Sequence, residues 1–389
     1  MEDDSNGEND VDTDEDSDIK SVIFKAIDYD DVALLTTVIC DRKISPNFYK
    51  DETAPICKAA AHGNVAILAV LLHGNVILNV PDIKDHMWHR QPIHIAASKG
   101  HTHFVRVLIE NGVHVDETDR DNRTALYWAA VFGQSDTARY LVSVGANVDA
   151  VQADGYTALH AAACFGYCDV CQVLLDGHAD LQLTDKDGWN VCHSAASYGH
   201  LQVVQLVVNS GIDINTRTKA NETMLHCAVS SGRLPVVQYL VQQGVTIDEK
   251  NSYGFTPFHL GIFYKRYEIC RYLAEAGAKV QTTNHKGQTP CHHVAVRMDE
   301  EFLILLVKVG YNFSSESWIH ENAFPITCVK TNEKVYSMLR YLAANCRSLK
   351  DLCCLEIRHL LGIDYKSKVH SLILPHLLKD MISFKDMSE

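Results

Sequence analysis

Six segments of this chain, TALYWAA, TALHAAA, NVCHSAA, TMLHCAV, TPFHLGI and TPCHHVA, begin at Thr124, Thr157, Asn190, Thr223, Thr256 and Thr289, each 33 residues after the one before. QPIHIAA at Gln91 stands one period ahead of them. A repeat of this length cannot bury its own apolar face. Stacked copies can, because each covers its neighbour and the core becomes continuous.

The residues inside one period specify a pair of helices. Thr at the head of the first helix can cap its free N–H groups. Small pairs such as Ala129/Ala130 and Ala162/Ala163 let neighbouring helices approach closely. Gly133, Gly166, Gly199 and Gly232 then permit the tight turn between helices, and VVQLVV and VVQYLV supply the buried face of the second helix. The pattern wears out towards both ends, as expected where a terminal repeat meets solvent on one side. APICKAA from Ala54 is displaced by four residues, which places an insertion in DIKDHMWHR. FKAIDYDDVALLTTVI matches the helices of CKAAAHGNVAILAVLL, so a worn capping unit is expected to begin near Ile19, and NAFPITC from Asn322 keeps the spacing and little else. LLDGHAD puts His178 where SVGANVD has the turn glycine, and a local adjustment of that loop is expected. The fold class is all-α, a solenoid of about ten helix-pair units.

Composition narrows the function. Of the 389 residues, 47% are hydrophobic, which marks a folded chain, and the net charge is -14. Ten carboxylates and no Lys or Arg fall within residues 1–18. This block reads as a disordered, solubilising acidic tail. There is no basic face or zinc-finger spacing for nucleic acid. Apolar runs such as FLILLVKVG are too short to cross a bilayer, so no membrane insertion is expected. Thirteen dispersed cysteines fit reduced, buried thiols better than a disulfide framework. The expected location is the cytoplasm, with the nucleus as a second one.

The chemistry-bearing residues argue against catalysis. His94, His160, His193, His226, His259 and His292 occupy one repeat position. An active site needs one differentiated constellation, whereas a structural imidazole bonding backbone or the turn Thr explains six copies. Neither Cys291 with His292 and His293 nor His86 with His89 offers four ligands at closed-site spacing, so no metal is expected. No phosphate loop, nucleophile elbow or metalloprotease motif occurs. No catalytic residue and no cofactor are assigned.

Binding is the better use of such a surface. The tips between repeats differ strongly, from DETDRDNR at Asp116 to EKNSYGF at Glu249. Tyr156, Trp189, Tyr253 and Phe255 add aromatic area there and are the candidate target-binding residues. Local packing is the alternative for Tyr156, Trp189 and Phe255. Trp128, with Tyr127 where other repeats carry His, is expected to be core.

Beyond the repeats, SLKDLCCLEIRHLL occupies residues 348–361. Leu349, Cys353 and Ile357 recur at helical spacing, so a helix presents them as one stripe with Ser348 positioned to cap it. VHSLILPHLLKDMI from Val369 follows, with Pro375 suited to a helix start. On the residues alone, these helices either cap the array or meet an external partner.

The period, the T-P-L-H-like turn and the later Gly together resemble the ankyrin repeat, and the whole chain resembles the ankyrin repeat and SOCS box family. SLKDLCCLEI is similar to that family's elongin-binding pattern. The resemblance implies that Leu349 and Cys353 enter the groove of elongin C, supported by Ile357, and that Val369, Leu372, Leu374 and Pro375 contact cullin 5. Ile373 stands where the family has the first proline of Leu-Pro-Leu-Pro, which weakens the cullin assignment relative to the elongin one. The implied organisation is an acidic tail over 1–18, an ankyrin array over 19–345 and a small helical SOCS box over 346–389. The implied function is substrate recognition, without catalysis, in a ubiquitin ligase. Its partners would be elongin B, elongin C, cullin 5 with its RING partner, and an unidentified protein substrate. The alternative is a plain ankyrin scaffold or inhibitor whose last helices are a cap.

Overall fold

Helix pairs follow one another along the chain at the period the sequence requires. The computed structural model describes residues 14–85, 87–297, 299–316, 319 and 333–345. α1 (Asp14–Asp28) leads into α2 (Val32–Thr36) and a π-helical turn over Thr37–Asp41. The pairs then run α3 (Pro55–His62) with α4 (Val65–His73), α5 (Pro92–Lys99) with α6 (Thr102–Glu110), α7 (Ala125–Val131) with α8 (Ser135–Ser143), and α9 (Ala158–Phe165) with α10 (Cys168–Asp176). After them come α11 (Val191–Tyr198) and α12 (Leu201–Asn209), α13 (Met224–Ser230) and α14 (Leu234–Gln242), α15 (Pro257–Phe263) and α16 (Tyr267–Glu275), and α17 (Pro290–Arg297) and α18 (Glu300–Lys308). A later helix, α19, spans Glu333–Asn345. α1 starts at Asp14, ahead of the expected Ile19, so the helix takes in the last acidic residues of the tail. Carboxylates suit the positive end of a helix dipole, and the charge density that argues for disorder is tolerated at that position.

Two compact units are distinguished, one within Met1–Ala195 and Gln202–Ile212, the other within Ala196–Leu201 and Asp213–Glu389. In the first, α7 packs between α5 and α9, and α8 between α6 and α10. In the second, α15 lies between α13 and α17, and α16 between α14 and α18. Ala129, Ala130, Ala162 and Ala163 are fully buried, which is why a larger side chain is excluded where first helices meet. Phe104 in the first core and Phe258 in the second are among the largest fully buried side chains.

The interhelix glycines serve two ends. Gly133, Gly166, Gly199 and Gly232 all hold φ between 69° and 87°, the left-handed region that side chains resist. They also leave room for the next repeat: a Cβ on Gly133 would stand 2.7 Å from the Tyr167 ring, and one on Gly199 the same distance from Arg233 Cδ. Gly133→Ala is therefore expected to lose about 1–3 kcal/mol, read as a lower urea midpoint with unchanged helical circular dichroism.

The loop anomalies resolve differently from one another. In ordinary repeats the tip closes over four residues, as in Asp185 N donating to Trp189 O at 2.9 Å. At the insertion, Asp82 N donates to Arg90 O at 2.9 Å, so the four extra residues are accommodated inside one tip and the ladder on either side keeps step. At LLDGHAD the expected loop adjustment takes the form of strain on one residue. His178 adopts φ 63°, the left-handed conformation that Gly145 and Gly211 hold in their repeats. Gly177 is needed for space, since a Cβ there would lie 2.8 Å from Val142 Cγ1.

Candidate target-binding surface

The repeated histidines are fastened into the framework. Thr157 Oγ1 accepts from the His160 backbone N–H and its ring Nδ1 lies 2.9 Å away, while His160 Nε2 lies 3.1 Å from Trp189 O in the following repeat. His226 repeats this with Thr223 at 2.8 Å and Phe255 O at 3.1 Å. His193 uses Asn190 Oδ1 at 2.7 Å in place of Thr, and His94 Nε2 lies 2.8 Å from Glu117 O. The imidazoles of His94, His160 and His226 thus close a capping box and tie their helix to the next tip, while His259 closes its box on Thr256 and reaches Thr282 Oγ1 from Nδ1 at 3.2 Å. Burial lowers the pKa of His94 and His160 and holds His226 down at about 4. His259 sits lower, at about 3, through burial first and then the charges of His293 and Lys250. Imidazoles kept neutral and engaged in this way are poor general acids or bases at neutral pH.

Tyr127 breaks the series, and its neighbour Trp128 takes a different task. Trp128 is buried and donates from Nε1 to Asp119 Oδ2 at 3.0 Å. Its ring meets Trp88 edge-on at 5.3 Å, Phe132 in a stack at 6.1 Å, and the Arg90 guanidinium at 4.8 Å. Trp88 and Arg90 belong to the inserted tip, so this tryptophan holds the insertion to the core, as its expected core role requires.

The four candidate aromatics divide. Tyr156, Trp189 and Phe255 are half-buried. Their rings lie 5.4, 6.2 and 5.9 Å from His160, His193 and His259 respectively, and Phe255 also touches His293 at 5.4 Å. These three cover the histidines of their own repeats while leaving an edge to solvent. Tyr253 is 67% exposed, with its backbone fixed by Asn251 Oδ1 at 3.0 Å and its carbonyl accepting from His285 N at 3.1 Å. It is a preorganised, solvent-facing side chain.

Sequence reasoning missed a second set. In the first unit Phe132 and Phe165 are 48% and 55% exposed, and Phe165 stacks with Tyr167 at 6.1 Å. Tyr167 lies over the bare backbone of Gly133, so Phe132, Tyr167 and Phe165 form one aromatic surface. In the second unit Tyr198 and Tyr264 are exposed. All but Tyr167 occupy one repeat position, and that 33-residue recurrence was the available signal.

Cys57, Cys192 and Cys270 are buried thiols whose pKa burial raises, and Cys171 is pushed up to about 12. Among the described residues no group of three or more His, Cys, Asp and Glu is placed to hold a metal ion. Nor is any of their helices long and apolar enough to cross a membrane. Leu349, Cys353, Ile357, Val369, Leu372, Leu374 and Pro375 lie outside the described residues.

A family profile described as ankyrin repeats matches three times, over residues 56–152, 145–218 and 216–284, and one described as the SOCS box matches 345–383. No curated protein matches the chain. Among solved structures, the crystal structure of the human ASB11 ankyrin repeat domain is similar, with a TM-score of 0.52 and 26% identity, covering 56% of this chain and 98% of that one. With an ankyrin array over more than half its length and a SOCS box C-terminal to it, the chain belongs to the ankyrin repeat and SOCS box family, the non-catalytic substrate receptors of elongin/cullin ubiquitin ligases.

Proposed function

We propose that this receptor binds elongin C, and through it elongin B, with the stripe Leu349, Cys353 and Ile357, and recruits cullin 5 and its RING partner with Val369, Leu372, Leu374 and Pro375. The observation that carries this reading is the SOCS-box match at 345–383, which contains every one of these residues. The ankyrin array then holds a protein target while the RING partner brings the ubiquitin-charged enzyme. Catalysis is supplied by proximity, which raises the local concentration of lysine and thioester. The free cysteines among the described residues, most of them buried, favour the cytoplasm or nucleus as the place of action.

Copurification with elongin B, elongin C and cullin 5 tests this. The double variant Leu349→Ala with Cys353→Phe is expected to lose elongin by about a hundredfold or more, because a phenyl ring overfills the space of a thiol and an apolar anchor is removed. Helicity should be unchanged. Retained elongin in that variant would refute the assigned stripe. Elongin retained with little cullin 5 by the unmodified protein would trace to Ile373.

A further inference from the structure

Three arginines of the second unit reach back to the preceding repeat. Arg233 Nε donates to Ser197 O at 3.0 Å, Arg266 donates through Nε and Nη2 to Ser230 O at 3.2 and 3.0 Å, and Arg297 donates through Nη1 to Phe263 O. The acceptors are 33 residues apart, in the last turn of α11, α13 and α15. At the third step the register of Arg233 and Arg266 falls on Asp299, and Arg297 serves the same carbonyl position from two residues earlier.

This cap does not need a charge. In the first unit Gln134 Nε2 donates to Ser98 O at 3.3 Å, and His101 Nε2 lies 3.1 Å from Ala61 O. The positive charges are therefore surplus to the bond. Among the described residues none of the three guanidinia meets a carboxylate, whereas Arg90, Arg123, Arg217 and Arg271 pair with Asp85, Asp121, Glu249 and Glu268. Arg106 and Arg139 also meet no carboxylate among the described residues, but Arg233, Arg266 and Arg297 are the arginines held in place by a carbonyl at the same position of the preceding repeat. The cap also fixes their orientation: Arg233 keeps both Nη atoms, Arg266 its Nη1 and Arg297 its Nη2 for an outside acceptor. Tyr198 and Tyr264, 54% and 46% exposed, lie at the ends of α11 and just past α15 on the same unit.

We propose that this edge reads an extended acidic segment of the target protein, with a carboxylate at about every third residue. Packed helices lie roughly 8–10 Å apart, and three residues of extended chain cover about 10 Å. One carboxylate per repeat thus comes into register with one guanidinium per repeat, and a tyrosine ring offers apolar contact between charges. The proposal rests on the reading that the array holds the target.

The test titrates labelled peptides into the full-length protein copurified with elongins B and C. One peptide carries Glu at every third position in a Ser/Gly/Leu background, a second has the same glutamates adjacent, a third replaces them with Gln, and a fourth with phosphoserine. The spaced glutamate peptide is expected to bind about tenfold or more tightly than the Gln and clustered peptides at low salt, and to weaken as salt rises. Arg233→Gln with Arg266→Gln keeps a cap donor, as Gln134 does, and should reduce that binding about tenfold or more with melting temperature and elongin retention unchanged. Equal binding by the Gln peptide, or by the arginine variant, overturns the proposal. Equal binding of clustered glutamates overturns the spacing, and binding of the phosphoserine peptide alone reassigns the edge to a phosphorylated partner. Elongin retention is read in the same samples, so a failure here is separable from failure of the receptor assignment.

Discussion

Taking the protein from pH 7 to pH 5 should lower the stability of the second unit by about 4 kcal/mol through His226 and His259 alone. Their native pKa values of about 4 and about 3 lie below the ordinary 6.5 of the unfolded chain. Between those limits the unfolded state binds protons that the native state refuses, so stability is present above pH 6.5 and is lost as pH falls below it. At pH 5 each imidazole accounts for about 2 kcal/mol. Urea midpoints in matched buffers at the two pH values check this. A flat profile would mean that these rings are protonated in the folded protein and are not the buried ties described above.

Replacing Trp128 by Ala is expected to lose about 3–5 kcal/mol from the first unit, the range for emptying a large aromatic site. Part of the loss comes from Asp119 Oδ2, which gives up its indole donor while remaining in a buried residue. The effect should be local. Trp88 and Arg90 lose the ring they pack on, so amide exchange at Arg90 and through the inserted tip should accelerate more than exchange in α9. Trp128→Phe keeps the packing but not the donor, and a loss of about 1–2 kcal/mol for that variant would separate the two contributions. Uniform acceleration of exchange across the unit in Trp128→Ala would contradict a local anchoring role. A loosened tip would also displace Phe132, which stacks on the same ring, and thereby disturb the exposed aromatic surface of that unit.

Much of the local architecture was legible because it repeats. Thr157, Thr223 and Thr256 cap the helices they were read as capping, and the histidines three residues later close the box. The alanine pairs are fully buried, and the turn glycines hold positive φ. Even the displaced copy at Ala54 was readable as an insertion, since a four-residue slip in register must be absorbed somewhere, and Asp82 to Arg90 is where the chain absorbs it. His178 shows the limit of that reasoning. A missing glycine signalled an altered loop, and the alteration is confined to His178, whose backbone takes the left-handed conformation in the glycine's place.

The period, the helix pair within it, the structural role of the histidines and the family to which the chain belongs were all readable in the order of the residues. These follow from interactions between residues a few positions apart or from exact recurrence, and both can be counted along a string. Which aromatics cover their own repeat and which face outward emerged from the packing, as did the convergence of Arg233, Arg266 and Arg297 on equivalent carbonyls with no carboxylate partner among the described residues. Those outcomes depend on contacts made from one repeat to the next, where a side chain some 33 residues away either satisfies a group or leaves it to solvent. Exposure and unpaired charge are properties of that stacking, and a single period does not contain them.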